Sequence, residues 1–331
     1  MEYIRRIQDF EQVKILADNR RLTILRLLMA APMTLSQLGL ELGEHPARVR
    51  HHLKLLEGAG LIEMVDTRVV RGFVEKYYRA RARAFLLQEI ILPPSAENSI
   101  HILGSHDLAL EVVAERLRKH VRHPLELTVL PIGSLEGLIA LRQGAAHLAG
   151  CHLFDPETGE FNLSYIRHIF PDRDMVLVTV AHRAQGLLVA EGNPKGIRSL
   201  EDLARPEVCM INRNRGSGTR LWLDRHLAQL SIPPESLNGY RREARTHTAV
   251  AEAIRQGRAD VGLGLQAAAC SCGLDFIPIF EERFDLALTS DQLDDRRLFP
   301  LLDYLQSRAF RKLAAGLEGY NSVHSGDQLT P

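Results

Sequence analysis

Apolar residues recur at helical spacing near the beginning of the chain. Leu22, Leu25 and Leu28 fall three residues apart and form the apolar stripe of a helix from about 19 to 31. Pro32 follows this stripe and ends the helix, because proline lacks the amide hydrogen that a helix interior requires. The pattern therefore predicts one amphipathic helix ahead of the first turn.

Two more short helices are predicted after this turn. Thr34 is placed to cap a helix whose apolar positions continue up to Gly43, a residue that commonly ends helices. Pro46 stands at the first position of the next helix, over residues 46–60. The connection between the two helices is short, and the second helix leaves its basic residues on the face opposite its apolar stripe.

A basic β-hairpin is predicted after the third helix. Residues 61–66 and 73–80 read as two strands, and residues 67–72 connect them. The connection carries Arg68 and Arg71. A basic hairpin beside a basic helix supplies phosphate contacts that are independent of base sequence and sensitive to salt.

The charge of this region differs from that of the whole chain. Lysine plus arginine and aspartate plus glutamate both number 41, so the chain as a whole has no net charge. Residues 46–83 nevertheless contain nine basic and four acidic residues, which is a candidate footprint for nucleic acid. The major groove of DNA admits one helix, and it offers acceptors to basic side chains. The residues expected to face DNA are Arg48, Arg50, His51, His52, Lys54, Arg68 and Arg71.

Residues 10–82 resemble a winged helix-turn-helix of the ArsR type, through R-L-x-I-L-R-L-L, T-L-S-Q-L and H-H-L-K-L-L-E-x-A-G-L-I. The resemblance implies a homodimer that binds double-stranded DNA at a roughly palindromic operator. Many relatives sense metals through cysteines in the helix before the recognition helix. That helix here has no cysteine or histidine, so we expect no metal site. A protein-interaction module with a solvated basic face is the alternative.

The remaining chain alternates strand-like and helix-like segments. We expect the winged domain to span residues 1–82 and a linking helix with a Pro93–Pro94 break to span 83–99. Residues 100–331 then form an α/β domain, because such alternation favours parallel sheets covered by helices on both faces. The predicted fold class is thus multidomain: a mainly α winged helix-turn-helix with a β-wing, followed by an α/β domain.

Three predicted strands end in similar polar residues just before a helix. Free amide groups and the helix dipole make such junctions favourable for anions. A single helix terminus offers at most about 2 kcal/mol, whereas micromolar binding requires roughly 8 kcal/mol. Several junctions must therefore converge. The candidate ligand-binding residues are Ser105, His106 and Asp107 at the first junction, Ser134 at the second, and Arg215, Gly216, Ser217, Gly218 and Thr219 at the third.

Two further side chains bear on the choice of anion. His247 opens another predicted helix, where it is equally suited to donate to a ligand or to serve as a cap. Asp107 would accept a proton from hydrogenphosphate and so select against molybdate, but its simpler role is to cap its own helix. Cys270 and Cys272, together with Cys151 and His152, lack zinc-site spacing, and we expect them to be buried and inert.

The order of elements after residue 100 resembles the two-lobed type II periplasmic binding proteins. The R-x-S-x-T spacing at Arg215 is similar to the anion loop of phosphate-binding members. The segments GSHDLAL, HLAGCHLFDPETGEFN, AQGLLVAEGNP, INRNRGSGTR, THTAVAEAI and ADVGLGL look like the module fused to molybdate-type regulators and molybdopterin-biosynthesis proteins. The resemblance implies one lobe of about 100–185 and 285–331 and another of about 193–275. It makes molybdate or tungstate the leading effector.

Together these features predict a one-component transcriptional regulator that senses a small oxyanion and has no covalent cofactor. We expect it to be cytoplasmic and without a membrane span, because its N-terminus lacks a signal-peptide core and no apolar stretch is long enough. We expect no catalysis, because no nucleophile with an evident base is visible in the sequence. There are two alternatives. The protein could sense another anion or an organic carboxylate, or it could be an enzyme that acts on a phosphorylated or pterin-like substrate.

Overall fold

The computed structural model describes residues 2–7, 9–70, 73–87, 99–119 and 125–331. It divides into two compact units, Met1–Pro93 and Pro94–Pro331. Each unit has its own apolar core. In the part of the chain that is described, no helix has the length and apolar character needed to cross a membrane.

The first unit has the predicted helix-turn-helix and wing. Its helices are α1 (Phe10–Leu16), α2 (Asn19–Ala30), α3 (Leu35–Leu42) and α4 (Pro46–Gly58). Its strands are β1 (Glu2–Ile7), β2 (Met33–Thr34), β3 (Ile62–Val70), β4 (Phe73–Ala80) and β5 (Ala82–Leu87). Strands β3 and β4 form the antiparallel hairpin of the wing, and β2 pairs with β4.

The local signals that begin and end these helices act as predicted. The Thr34 hydroxyl accepts the Gln37 amide in a capping box, and Gly43 ends α3 with a positive φ of 62°. Pro46 is the first residue of α4, so its missing amide hydrogen costs no helical bond. The apolar stripes of α2, α3 and α4 then meet in one core, which includes Ile24, Leu28, Leu38, Leu53 and Leu56.

The predicted linking helix over 83–99 is wrong where the chain is described. Residues Ala82–Leu87 form strand β5, which pairs in parallel with β1 at the start of the chain. Pairing with β1 gives the backbone amide and carbonyl groups of this segment their hydrogen-bond partners, so a helix is not needed to satisfy them. The Pro93–Pro94 break lies outside the described residues.

The second unit is an α/β domain built on one long sheet. Its strands are β6 (Ser99–Gly104), β7 (Glu126–Pro131), β8 (Leu148–Cys151), β9 (Met175–Val189), β10 (Met210–Arg213), β11 (Glu243–Ala244), β12 (Val261–Leu265), β13 (Asp275–Thr289), β14 (Tyr320–Asn321) and β15 (Gln328–Leu329). Its helices are α5 (Leu108–Arg118), α6 (Ser134–Arg142), α7 (Leu163–Ile169), α8 (Gly218–Gln229), α9 (His247–Arg255), α10 (Gln266–Ser271), α11 (Phe299–Gln306) and α12 (Arg308–Ala314). The sheet order is β11-β10-β12-β9-β13-β8-β6-β7.

Two antiparallel strands of 15 residues, β9 and β13, lie in the middle of this order and join two lobes. The sequence favoured parallel sheets, and this expectation is wrong for these two strands. Each strand is continuous because its polar interruption, at Arg183 in β9 and at Glu282 in β13, is paired inside the fold rather than exposed in a loop. The register shifts between Pro278 and Phe280 and again between Phe284 and Asp285.

Each lobe has a separate apolar core. The core of the first lobe includes Ile100, Val113, Leu148, Phe284 and Phe310. The core of the second includes Leu187, Trp222, Leu223 and Val261, with a neighbouring cluster around Val250. The two-lobed α/β fold class predicted from the sequence is confirmed. The polar strand ends and helix starts of both lobes face the space between these cores.

Candidate functional site

The first two predicted junctions meet at His152, the residue that follows β8. The Ser105 hydroxyl lies 2.7 Å from Nε2 of His152. The Ser134 hydroxyl accepts the backbone amide of the same histidine at 3.3 Å. All three residues are buried. The ends of β6 and β8 and the start of α6 are therefore joined at one polar point of the first lobe.

The third junction reaches the same point from the second lobe. A Cβ added at Gly218, the first residue of α8, would lie only 2.7 Å from Nδ1 of His152. Glycine is therefore required for this close approach. The next residue, Thr219, accepts a hydrogen bond of 3.0 Å from the Gln185 side chain on the crossing strand β9.

Two hydrogen bonds to backbone carbonyls also link the two lobes at this junction. The Asn214 side-chain amide donates to the Ile132 carbonyl at 3.2 Å. The Leu135 amide donates to the Gly216 carbonyl, also at 3.2 Å. The Ser217 hydroxyl caps α8 by accepting a hydrogen bond from the Arg220 amide, so its role is in the loop itself. The lobes are thus in contact around the polar point.

A buried ion network lies beneath the junctions. Arg183 on β9 pairs with Asp107 at 2.9 Å and with Glu282 on β13. Glu282 also lies 2.5 Å from Nδ1 of His152. Burial opposes the ionisation of Glu282, but Arg183 and His152 outweigh it and lower its pKa to about 2. Burial also lowers the pKa of His152.

Arg213, at the end of β10, is the second buried cation. One terminal nitrogen of its guanidinium lies 2.8 Å from Nε2 of His247, and the other donates to the Arg245 carbonyl at 2.9 Å. It forms no ion pair with any carboxylate of the described residues, and its Nε atom has no hydrogen-bond partner there. Burial and the neighbouring Arg183 lower its pKa to about 9.

His247 is held in one protonation state by this contact. The guanidinium of Arg213 only donates, so Nε2 of His247 accepts and its other nitrogen carries the hydrogen. Burial and Arg213 lower the pKa of His247 well below its usual value, so the ring is neutral. Its backbone amide donates to Nδ1 of His106 at 3.3 Å. The two predicted histidines therefore do lie together.

We call the buried polar group between the lobes the cleft cluster. It consists of Ser105, Ser134, His152, Arg183, Gln185, Arg213, Thr219, His247 and Glu282. In the described part of the chain, six atoms of this cluster lack a hydrogen-bond partner: Nδ1 of His152, Nε of Arg183, Oε1 of Gln185, Nε of Arg213, Nδ1 of His247 and Oε2 of Glu282. Unpaired buried polar atoms are costly, so this grouping marks a place where a ligand would be stabilised.

Two predicted ligand residues are placed differently from the expectation. The Arg215 side chain is 86% exposed and lies 3.9 Å from Glu243, because the loop directs it away from the cleft. Asp107 caps α5, pairs with Arg183 and accepts from the Tyr320 hydroxyl at 2.8 Å. Its capping role therefore holds, and its carboxylate is already occupied by partners.

The sequence reasoning missed several members of the cluster. His152 was expected to be inert, and Arg183, Gln185, Arg213 and Glu282 were not singled out. A usable signal existed, because Arg183 and Gln185 interrupt an otherwise apolar strand and a buried strand does not carry charge without a partner. Among the described residues, no group of three or more His, Cys, Asp or Glu side chains is arranged to hold a metal ion.

In the first unit, the free face of α4 carries most of the residues expected to face DNA. Arg48, Arg50, His51 and Lys54 are exposed. A groove of about 390 Å³ between α4 and the wing is lined by three basic residues, Arg50, Lys54 and Lys76, and by the acidic Glu57 and Glu75. The face of α4 that was predicted to contact DNA is therefore accessible from solvent.

The remaining residues of the predicted DNA face differ in placement. His52 is half-buried against α2, where burial lowers its pKa despite the nearby carboxylate of Asp18. Arg68 is exposed but paired with Asp66 at 2.7 Å, and its guanidinium lies 4.7 Å from the centre of the Tyr77 ring. Arg71 lies outside the described residues. His52 therefore faces the protein and not the groove.

Comparisons with solved structures agree with the two-lobed fold. A putative phosphate transporter substrate-binding protein with bound phosphate from Clostridium perfringens has a TM-score of 0.50 and 15% identity, covering 67% of this chain and 98% of that one. The sulfate-binding protein SubI of Mycobacterium tuberculosis H37Rv has a TM-score of 0.50 and 15% identity, covering 69% and 88%. At these identities the likeness concerns the fold alone.

Sequence comparisons identify the family of each part. Protein YvgK of Bacillus subtilis (strain 168) is 33% identical over 235 residues, which is 70% of this chain and 74% of that protein. Residues 18–64 match the arsR family of bacterial regulatory proteins, and residues 114–306 match the PBP superfamily domain. The chain therefore belongs to the family of proteins with a PBP superfamily domain, and it carries an arsR-family helix-turn-helix segment ahead of that domain.

Proposed function

We propose that this protein is a one-component transcriptional regulator that binds a small oxyanion between the lobes of its second unit. Its first unit then binds double-stranded DNA as a homodimer at a palindromic operator. The observation that carries the proposal is Arg213, a buried cation beside Arg183 that has no carboxylate partner among the described residues. An anion in the cleft would provide the missing counter-charge.

The free energy of the cleft cluster supports an anionic ligand. Leaving one buried charge without a partner costs about 3 to 5 kcal/mol. The cluster also receives the positive ends of α8 and α9, which begin at Gly218 and His247. Charge-assisted hydrogen bonds of about 1.5 to 3 kcal/mol each are then available from several directions. Their sum is sufficient for micromolar binding after the costs of ordering are subtracted.

Molybdate and tungstate are the leading candidates for the anion. Their support is the resemblance of segments such as INRNRGSGTR and ADVGLGL to the module of molybdate-type regulators. The solved structures of similar fold named above bind phosphate and sulfate, which are also tetrahedral oxyanions. The occupied carboxylate of Asp107 removes it as an acceptor for a hydrogenphosphate proton.

Coupling to DNA requires that the anion favours one arrangement of the protein over another. The anion shifts this balance only by the difference of its affinity for the two arrangements. A difference of about 1.4 kcal/mol changes operator binding tenfold. The crossing strands β9 and β13 carry Arg183, Gln185 and Glu282, so ligand contact is made on the segments that join the lobes.

Thermal unfolding of the full chain with separate anions tests the proposal. Molybdate, tungstate, phosphate and sulfate are each added at millimolar concentration. An anion present at 100 times its Kd stabilises the folded protein by about 2.7 kcal/mol and raises its melting temperature by several degrees. We expect the largest rise with molybdate or tungstate. No rise with any of the four anions would overturn the oxyanion proposal.

A second candidate function rests on a hydroxyl, an imidazole and a carboxylate that follow one another in space. The Ser105 hydroxyl lies 2.7 Å from Nε2 of His152, and Nδ1 of that ring lies 2.5 Å from Oε2 of Glu282. Such an order activates a serine nucleophile in acyl transfer. It does not account for the unpaired Arg213, so we place it second. Release of p-nitrophenol from p-nitrophenyl acetate by the wild type, lost in Ser105→Ala, would support it. Equal rates for the two proteins would exclude it for this ester.

A further inference from the structure

The two ring nitrogens of His152 fix the position of a hydrogen atom in the cleft cluster. Nδ1 lies 2.5 Å from Oε2 of Glu282. Glu282 is ionised, because the buried guanidinium of Arg183 pairs with its other oxygen. A carboxylate only accepts hydrogen bonds, so the nitrogen that faces it, Nδ1 of His152, is the one that carries the ring hydrogen, although the angle between the two groups is not that of a regular hydrogen bond. The neutral ring then has a lone pair at Nε2.

This arrangement determines which way the Ser105 hydroxyl points. Its oxygen lies 2.7 Å from Nε2 of His152, and with a neutral ring the hydroxyl hydrogen must be donated to Nε2. The serine is thereby left with lone pairs only for any group that enters the cleft. The oxygen atoms of a fully deprotonated oxyanion also offer lone pairs only. Two acceptors would face each other unless one more hydrogen is present.

Resting on the proposed function, we infer that the cleft binds its oxyanion together with one proton. When the anion is fully deprotonated, the proton is taken from solvent by Nε2 of His152. The imidazolium then donates to the Ser105 oxygen, and the released hydroxyl hydrogen is donated to the anion. When the anion carries its own hydrogen, its hydroxyl donates to Ser105 and no proton is taken up. His152 is thus the residue that sets the protonation state of the complex.

The charges around His152 make this uptake depend on the anion. The groups that face its ring are Glu282 from β13, Arg183 from β9, Arg213 from β10, His247 from α9 and the first turn of α8 at Gly218. The two guanidiniums disfavour an imidazolium, whereas Glu282 favours it. An incoming anion adds negative charge beside the ring and offsets Arg213, because Arg183 is already paired with Asp107 and Glu282. Protonation of the ring therefore accompanies arrival of the anion rather than preceding it.

Calorimetric titration of the full chain measures this proton directly. The titration is done at pH 8 in two buffers that differ in ionisation enthalpy, with molybdate, tungstate or sulfate as the probe. We expect uptake of about one proton per anion, and affinity that falls about tenfold per pH unit between pH 7 and 9. Phosphate, which brings its own hydrogen near neutral pH, is expected to take up less.

The outcomes separate this inference from the proposed function. Binding of a deprotonated anion without proton uptake would overturn the inference and leave the oxyanion sensor standing. No binding of any anion would remove the sensor itself. The wild-type proton count is sufficient to decide, so the test does not depend on a variant that folds poorly.

A substitution tests the role of the carboxylate. In Glu282→Gln the amide no longer forces the hydrogen onto Nδ1 of His152, so Nε2 can carry it and the Ser105 hydroxyl is released without extra proton. We expect the proton uptake per bound anion to fall towards zero, whatever the change in affinity. The exposed His168, changed to glutamine, is the matched control and should keep the wild-type proton count. Unchanged uptake in Glu282→Gln with an intact thermal transition would contradict the assignment.

Discussion

Arg213 and Arg215 lie two residues apart and face opposite surroundings. Arg213 is 1% exposed and belongs to the cleft cluster, whereas the Arg215 side chain is 86% exposed. The difference arises because Arg213 ends strand β10, where its side chain is directed between the lobes, whereas Arg215 is in the loop that follows. Two arginines of the same motif therefore have separate roles, and they provide a matched pair for substitution.

We expect Arg213→Gln to weaken anion binding strongly and Arg215→Gln to leave it nearly unchanged. Loss of one charge-assisted hydrogen bond costs about 1.5 to 3 kcal/mol, which is roughly a 10- to 150-fold loss of affinity. Because Arg213 has no carboxylate partner in the described residues, its removal strands no buried anion, and the fold should persist. Calorimetry with the best-binding anion measures both variants. Equal loss in the two would contradict the assignment of the buried cation.

Glu136 provides a prediction about pH. Its Oε2 atom is buried without a hydrogen-bond partner in the described residues, and a Cβ added at Gly216 would lie 2.1 Å from its Oε1 atom. Burial raises the pKa of this carboxyl. A raised carboxyl pKa means that the folded state binds more protons than the unfolded state, so stability falls as pH rises from the unfolded pKa through the folded one.

Glu136→Gln should therefore stabilise the protein at neutral pH and not at acidic pH. The carboxylate is partly exposed, so we expect a gain at pH 7 of about 1 kcal/mol, or roughly 2 to 4 °C in melting temperature. The gain should shrink as the pH falls towards the unfolded pKa, where both states are protonated. Thermal melts of both proteins across this range measure it. A gain that is constant with pH would show that ionisation is not the cause.

Local signals allowed most of the fold to be predicted from the sequence. Caps and stops such as Thr34, Gly43 and Pro46 act within a few residues, so they were readable without tertiary information. Strand β5 was not, because its partner β1 lies at the other end of the unit. A short segment between arginines has no periodicity that distinguishes such a strand from a helix.

The same distinction explains the site. Ser105 and Ser134 were found because each stands at a strand-to-helix junction, which is a local feature. The pairing of Arg183 with Glu282 is separated by 99 residues and exists only through the register of β9 and β13. Charged residues in apolar strands were therefore the signal for the site, but their partners required the structure.

Substitutions on α4 test the proposed DNA interface. We expect Lys54→Ala to lower affinity for duplex DNA and to reduce the slope of log affinity against log salt by about one, because one phosphate contact is lost. Lys54 is exposed beside the groove between α4 and the wing. Fluorescence anisotropy at several salt concentrations measures the slope. Arg167→Ala, an exposed change in the second unit, is the control. An equal effect of both changes would indicate non-specific attraction.

Trp222 offers a spectroscopic test of coupling between the anion and the crossing strands. It is the single tryptophan of the chain. Its ring is stacked between those of His226 at 3.6 Å and Phe280 at 3.9 Å. It belongs to α8, whose first turn reaches the cleft cluster, while Phe280 lies at a register shift of β13. The stack therefore connects α8, which reaches the cleft cluster, with the crossing strand β13.

We therefore expect anion binding to change tryptophan emission, with a midpoint equal to the calorimetric Kd. The Arg213→Gln variant should show no change at the same concentrations, whereas Arg215→Gln should behave as the wild type does. Phe280→Leu should alter the emission of the free protein and reduce the response, because one stacking partner is lost. Anion binding seen by calorimetry without any change in emission would mean that the stack does not respond to the ligand.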